Sequence, residues 1–151
     1  LVIRVGDVLK MAVPSIIFRQ DKADFGVQVL DASGKVTKPG ITEAQAKNNE
    51  RILKRIAQIL NKFKNYTVVV EGHANSVTGT EAEETSTANG NIPLEPLSKE
   101  RAEFVKGKLV GYGVSSDRLS AVGRGGRQPV AARGDKDNAW KNRRVEFILN
   151  K

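Results

Sequence analysis

The chain has 151 residues, with 25 lysines and arginines against 17 aspartates and glutamates, which gives a formal net charge of +8. This length is typical of one domain over residues 1–151, and a hydrophobic content of 39% is too high for a disordered protein. The absence of cysteine and of any apolar run near about 18 residues excludes disulfides, cysteine-type zinc sites and a transmembrane helix. The chain carries no signal-like stretch, which is compatible with a mature form, an excised fragment or a cytosolic protein, and the first residue, Leu1, favours a fragment.

The N-terminal part, Leu1–Phe18, is rich in β-branched residues and predicts one or two strands, with Pro14 at a sheet edge or at the start of a strand. From Val27 to Gly40 the pattern is weak, and Ala32–Lys35 and Pro39–Gly40 are typical of turns. We therefore expect a loop before the first helix.

The first helix has a well-defined start at Thr42, because Thr42 and Gln45 have the spacing of a capping box that satisfies free backbone N–H groups. Apolar residues then recur with the helical period and form one stripe, opposite a charged face. The stripe consists of Ile52, Leu53, Ile56, Ile59, Leu60 and Phe63. Such a helix is expected to pack on a sheet.

The middle of the chain predicts a strand at Thr67–Glu71, and the continuous apolar run Val68–Val70 indicates burial on both faces. Gly72–Asn75 then leaves the end of this strand. The segment Ser76–Pro96 is polar and without period, which predicts a long exposed loop.

A second helix is predicted from Ser98, a favourable N-cap residue, to the glycines at 111 and 113. This start places Arg101 in the first turn, where the helix dipole disfavours a cation, and so suggests a nearby anion. Strands at Arg118–Gly123 and Arg144–Leu149 complete the order β, α, β, α, β, loop, β. The alternation favours an α/β two-layer sandwich with a mixed sheet covered by helices.

Catalytic and metal sites find little support. His73 is the only histidine, so a nucleophilic triad and a zinc site both lack the groups that they need. We therefore expect no enzyme activity, no metal and no cofactor, and we interpret His73 as a residue that hydrogen-bonds loop backbone.

The basic charge permits an anionic ligand, but an aromatic content of 5% leaves few platforms for stacking bases, so we expect no nucleic-acid partner. The RGG-like segment Arg124–Arg127 is interpreted as a flexible turn. The pair Arg143–Arg144 is more specific, because a guanidinium matches a carboxylate in bidentate geometry. Neighbouring strand residues face opposite ways, so one arginine is expected to face a ligand and the other to pair with an acid.

Several short strings occur together in a characteristic order. They are Ile16-Ile17-Phe18, Val69-Val70-Glu71-Gly72-His73, Leu97-Ser98-Lys99-Glu100-Arg101-Ala102, Arg118-Leu119-Ser120-Ala121-Val122-Gly123, Gln128-Pro129 and Asn142-Arg143-Arg144-Val145-Glu146. Over about residues 10–150 the chain resembles the OmpA-like peptidoglycan-binding domain of porin-like proteins, peptidoglycan-associated lipoproteins and flagellar stator proteins.

The resemblance implies a βαβαβ-type fold that binds the diamino acid of the peptidoglycan stem peptide without covalent chemistry. It implies ligand contacts near His73 and Ser98 and carboxylate binding by Arg101 and Arg143. Family motifs carry threonine, aspartate and asparagine where this chain has Ala74, Asn75 and Leu94. Losing the aspartate weakens ammonium binding by about 1 kcal/mol or more, since ionised partners make stronger hydrogen bonds.

The resemblance therefore predicts a periplasmic, envelope-anchoring domain of an outer-membrane or envelope-attached protein, with an altered pocket and no membrane insertion of its own. Two explanations of the altered pocket remain open. Either the site accepts a different envelope ligand, for example a stem peptide with another third residue, or Glu81, Glu83 or Glu84 folds back from the long loop to supply the missing charge. The alternative function is a scaffold that has lost peptidoglycan binding and contacts envelope proteins.

Overall fold

The computed structural model describes residues 2–5, 8–11 and 16–151. The strands are β1 (Val2–Val5), β2 (Val8–Met11), β3 (Val29–Leu30), β4 (Val36–Lys38), β5 (Thr67–His73), β6 (Leu119–Gly123) and β7 (Arg144–Asn150). The α-helices are α1 (Glu43–Lys62), α2 (Glu81–Thr85) and α3 (Leu94–Gly111). None of the helices in these residues has the length and apolar character needed to cross a bilayer.

The main sheet has five strands in the order β1-β2-β7-β5-β6. Strands β5 and β6 are parallel and are connected through α3, whereas the other neighbouring pairs are antiparallel. The predicted mixed sheet of an α/β sandwich is therefore confirmed. Strands β3 and β4 form a separate hairpin, whose strands were too short to give a periodic signal.

The hydrophobic core lies between one face of the sheet and helices α1 and α3. Val68 and Val70 of β5 belong to this core with 1% and 0% exposure, whereas Val69 points to the opposite face and is only half-buried. The prediction that Val68–Val70 is buried on both faces is thus wrong for Val69. The alternating burial of Val145, Phe147 and Leu149 on β7 matches the predicted last strand.

The N-terminal prediction of one or two strands is confirmed by β1 and β2, while Pro14 lies outside the described residues. Residues 16–18 form no strand. Instead, the buried side chain of Asn49 on α1 accepts a hydrogen bond from Ile17 N (3.0 Å) and donates one to Ile17 O (2.6 Å). The Asn49 side chain thus satisfies the backbone N–H and C=O groups of Ile17, as a neighbouring strand would, and holds this segment against α1.

Helix α1 begins as predicted, because Thr42 and Gln45 form a complete capping box. Helix α3 begins at Leu94, about one turn before the predicted Ser98. Pro96 in its first turn needs no backbone donor, so the proline is compatible with a helix start. Ser98 is fully buried inside the helix and is not its N-cap.

The segment Ser76–Pro96 is more ordered than the predicted loop. It contains the short helix α2, a turn of 3₁₀-helix at Ala88–Gly90 and the start of α3. Glu84 of α2 is buried with 4% exposure, and its Oε1 accepts a hydrogen bond from Gly126 N (2.9 Å). The segment is therefore attached to the domain by a buried contact. Its five-residue helix is too short to show a period in the sequence.

Candidate ligand-binding cleft

A cleft of about 750 Å³ opens at the C-terminal end of β5. This size is within the usual range of small-ligand sites. The cleft is lined by Ile16, Ile17, Phe18, Gln20, Asp21, His73, Ala74, Asn75, Val77, Leu94, Leu97, Arg101, Trp140, Arg143 and Arg144. Six of the seven residues that the sequence predicted for the site are among them, and Ser98 is the exception.

Arg101 forms one wall of the cleft. Its Nε donates to Lys22 O (2.9 Å), its Nη2 lies 3.5 Å from Arg19 O, and its guanidinium carbon lies 5.0 Å from the centre of the Phe18 ring. Burial lowers the pKa of Arg101 from its ordinary value. Arg101 lies about two turns inside α3 rather than in its first turn, so the helix-dipole argument for a nearby anion is wrong.

Arg143 and Arg144 have different roles in the structure. Arg143 precedes β7, is exposed in the cleft, and has no ion-pair partner within 4.0 Å in the described part of the chain. Arg144 Nη2 instead lies 3.4 Å from Glu146 Oε2 and donates to Gln128 O (3.0 Å). The expected division between a ligand-facing and an acid-paired arginine therefore agrees with the geometry.

Asn75 is oriented by a residue that the sequence interpretation did not assign. Its Oδ1 accepts a hydrogen bond from Nδ2 of Asn142 (2.9 Å), which is fully buried. Asn142 Oδ1 in turn accepts from the backbone N–H groups of Val130 and Ala131, each at 2.8 Å. Asn142 belongs to the Asn-Arg-Arg string, and this was the only signal that pointed to it.

Ser98 holds the neighbouring turn and does not line the cleft. Its hydroxyl donates to Glu95 O (2.8 Å) and accepts from Gly125 N (2.9 Å). Gly125 has a φ of 58°. The backbone carbonyl of Gly125 also accepts a hydrogen bond from Ala74 N (2.8 Å). The predicted flexible turn at Arg124–Arg127 is therefore wrong, because these contacts fix it against α2, α3 and the end of β5.

The hypothesis that a loop glutamate supplies charge to the cleft is wrong for all three candidates. Glu81 Oε1 pairs with Arg127 (2.8 Å), and Glu84 binds the backbone of Gly126. Glu83 accepts hydrogen bonds from the Ser76 hydroxyl and from Val77 N (3.0 Å). Burial acts to raise the pKa of Glu83, but these and the neighbouring hydrogen bonds together lower it. These glutamates hold the loop in place.

His73 contacts carboxylates and not the loop backbone that was predicted. Its Nε2 lies 3.2 Å from Glu71 Oε1 and 3.1 Å from Glu146 Oε2. The three ligand-type atoms lie within 4.8 Å of one another, a spacing that a metal ion could bridge. Arg124 and Lys10 already pair with these carboxylates, at 3.3 and 3.5 Å, in addition to Arg144. We therefore interpret the cluster as an ion-pair network.

This network makes the stability of the domain depend on pH. The hydrogen bond from His73, together with Arg144 and Lys10, lowers the pKa of Glu146 to about 2 from an ordinary value near 4.5. A carboxyl with a lowered pKa in the folded state stabilises the fold above its ordinary pKa, and this contribution is lost as the pH falls toward 2.

We expect the stability difference between the unaltered protein and Glu146→Gln to shrink by about 2 kcal/mol between pH 7 and pH 3. Urea unfolding of both proteins at both pH values measures this difference in the free energy of unfolding. Glu103→Gln, an exposed change on α3, is the matched control and should show no such pH dependence. A difference for Glu146→Gln that is equal at both pH values would contradict the role assigned to the network.

The fold and the cleft together define a class of protein. A helix-covered mixed sheet carries, at the C-terminal end of β5, an open cleft that is lined by two arginines and a fixed amide. The chain belongs to the OmpA family, whose model matches residues 38–143.

Relatives with curated names support this membership. The peptidoglycan-associated lipoprotein of Mesorhizobium japonicum is 35% identical over 127 residues, which cover 84% of this chain and 67% of the relative. The peptidoglycan-binding protein ArfA of Mycobacterium tuberculosis is 35% identical over 99 residues, which cover 66% of this chain and 27% of the relative. The chain therefore spans only about a quarter of this mycobacterial relative.

Solved structures agree on the fold. The periplasmic domain of MotB from Helicobacter pylori superimposes with a TM-score of 0.67 at 19% identity, covering 100% of this chain and 88% of that one. The peptidoglycan-associated lipoprotein from Burkholderia pseudomallei gives a TM-score of 0.53 at 23% identity, covering 68% of this chain and 78% of that one. At these identities the likeness concerns the fold alone.

Proposed function

We propose that this domain binds the stem peptide of peptidoglycan non-covalently in the cleft at the end of β5, and so anchors a longer protein in the cell envelope. The observation that carries the proposal is the convergence of Arg101 and Arg143 on one cleft. Arg101 is fixed by contacts on its inner side, whereas Arg143 has no ion-pair partner in the described residues. Two guanidinium groups suit a ligand with carboxylates.

The names of the relatives favour the same ligand and location. Among them are proteins named for binding to or association with peptidoglycan and an outer membrane porin of Pseudomonas aeruginosa. By this inference the domain lies in the periplasm as part of an envelope-attached protein. It retains its ligand without cleaving it.

The proposed pocket differs from the family pattern at Asn75, Ala74 and Leu94. The amide of Asn75 is neutral, and its Oδ1 already accepts from Asn142 (2.9 Å). Leu94 adds an apolar group where the family motif has an amide. The diamino acid is thus bound less tightly than by a pocket with aspartate, or a stem peptide with another third residue is preferred.

Sedimentation with purified sacculi tests the proposal. The domain should sediment with sacculi, and a soluble stem peptide containing diaminopimelate should release it. No soluble muropeptides should appear during the incubation. A domain that stays in the supernatant would contradict the proposal and favour the scaffold that contacts envelope proteins, whereas release of muropeptides would contradict the non-enzymatic function.

Asn75→Asp tests the altered pocket. The change is nearly isosteric, and aspartate can still accept the hydrogen bond from Asn142. We expect affinity for the diaminopimelate stem peptide, measured by calorimetry, to rise about fivefold or more, since a charged acceptor binds an ammonium about 1 kcal/mol better. Unchanged affinity in a folded variant would mean that the cleft, and not the missing charge, limits binding.

A further inference from the structure

One carboxylate does line the cleft, although it comes from neither the β5 end nor the long loop. Asp21 lines the cleft together with Arg101 and Arg143, and it is the only acidic residue among the described residues of the lining. Asp21 is exposed and forms no ion pair within 4.0 Å in residues 16–151. Its charge is therefore available to a ligand in the cleft.

The loop that carries Asp21 is held in one conformation. Arg19 N donates to Asp24 O (2.9 Å), Lys22 N donates to Arg19 O (3.0 Å), and the Arg19 guanidinium pairs with the Asp24 carboxylate at 2.7 Å. Asp21 itself has a φ of 57°, a left-handed conformation that aspartate and asparagine tolerate better than most residues. The tight loop thus fixes the backbone position of Asp21.

Arg101 joins this loop to the arginine side of the cleft. Its guanidinium donates to the Lys22 carbonyl (2.9 Å), next to Asp21 in the chain. Burial lowers the pKa of Arg101, and the negative charge of Asp21 partly opposes this effect. Asp21 and Arg101 are therefore close enough for their charges to interact, but they form no direct ion pair within 4.0 Å.

This charge pattern suits a zwitterion. Arginines attract a carboxylate, and an unpaired aspartate beside them attracts an ammonium on the same ligand. The neutral amide of Asn75 is a weaker partner for an ammonium than a carboxylate. We propose that Asp21 binds the side-chain ammonium of the stem peptide's diamino acid, while Arg101 and Arg143 bind its carboxylate. The assignment rests on the proposed function.

The test compares Asp21→Asn with Asp117→Asn. Asparagine also tolerates a positive φ, so Asp21→Asn removes the charge and should keep the loop. Asp117 is exposed beside β6, outside the cleft lining, and its change to Asn is the matched control. Thermal unfolding of all three proteins verifies the fold.

Calorimetry then uses two synthetic stem tripeptides that contain diaminopimelate. In one the side-chain amine is free, and in the other it is acetylated. The unaltered protein and Asp117→Asn should bind the free amine at least about tenfold more tightly than the acetylated form, as expected for a charged contact. Asp21→Asn should lose about tenfold in affinity for the free amine and bind both peptides alike.

Two results would overturn the assignment, and they are distinguishable. If the Asp21→Asn variant still prefers the free amine as strongly as the unaltered protein does, another group binds the ammonium. The proposed function would stand in that case. An unaltered protein that binds neither peptide nor sacculi would overturn the proposed function and the role of Asp21 together.

Discussion

Arg101→Ala is expected to reduce stem-peptide affinity by about 30-fold or more, because truncating one partner of a buried charge-assisted contact costs about 2–5 kcal/mol. The guanidinium of Arg101 is fixed by the carbonyls of Lys22 and Arg19 and lies over the Phe18 ring. Such a preorganised group spends little entropy on binding. Calorimetry with the diaminopimelate stem peptide measures the loss.

Arg118→Ala is the matched control for this variant. Arg118 also donates to backbone carbonyls, those of Tyr66 (3.1 Å), Leu60 (2.9 Å) and Phe63 (2.7 Å), but it lies outside the cleft lining. Removing it should lower the unfolding temperature and leave ligand affinity unchanged. Equal affinities of Arg101→Ala and the unaltered protein would contradict the carboxylate-binding role.

Gly72→Ala is expected to destabilise the fold by about 2–4 kcal/mol, the largest stability effect among these predictions. A Cβ at position 72 would lie 2.0 Å from Ser98 O and 2.8 Å from Ser98 C. Both atoms are backbone of α3, so neither can move away as a side chain would. The glycine of the Val-Glu-Gly-His string thus permits the close contact of β5 with α3.

Gly107→Ala is the control for Gly72→Ala. Nothing lies within 4 Å of a Cβ built at Gly107, which is an exposed position inside α3. Alanine should stabilise the helix there by about 1 kcal/mol. Urea unfolding of both variants gives the comparison, and a Gly72→Ala protein as stable as the unaltered one would contradict the close packing.

The fold was predictable where the signals are local. The capping box at Thr42 and the apolar stripe of α1 lie within one helix, and both are present in the structure. The start of α3 was not predictable from local signals, because Ser98 is a preferred N-cap residue although the helix begins one turn earlier, at Leu94. The role of Ser98 is set instead by its hydrogen bond with Gly125, which lies 27 residues away in the sequence.

The site was predictable only in part, for a related reason. Arg101, Arg143 and Asn75 stand in recognisable strings, and the structure places all three at one cleft. Asn142 acts on Asn75 across 67 residues of sequence. Asp21 stands in a charged segment that has no motif of its own. The hydrogen bond between Asn142 and Asn75 leaves no local pattern in the sequence, and Asp21 shares a cleft with Arg101 only because distant segments meet in the fold.

The most direct test of the central claim is an amide NMR titration of the isotope-labelled domain with the diaminopimelate stem peptide. The account predicts saturable shift changes confined to residues around the cleft, namely residues 16–22, 73–77, 94–101 and 140–144. Shift changes centred on the exposed face of α1 or on the β3–β4 hairpin, or no saturable change at any peptide concentration, would contradict it.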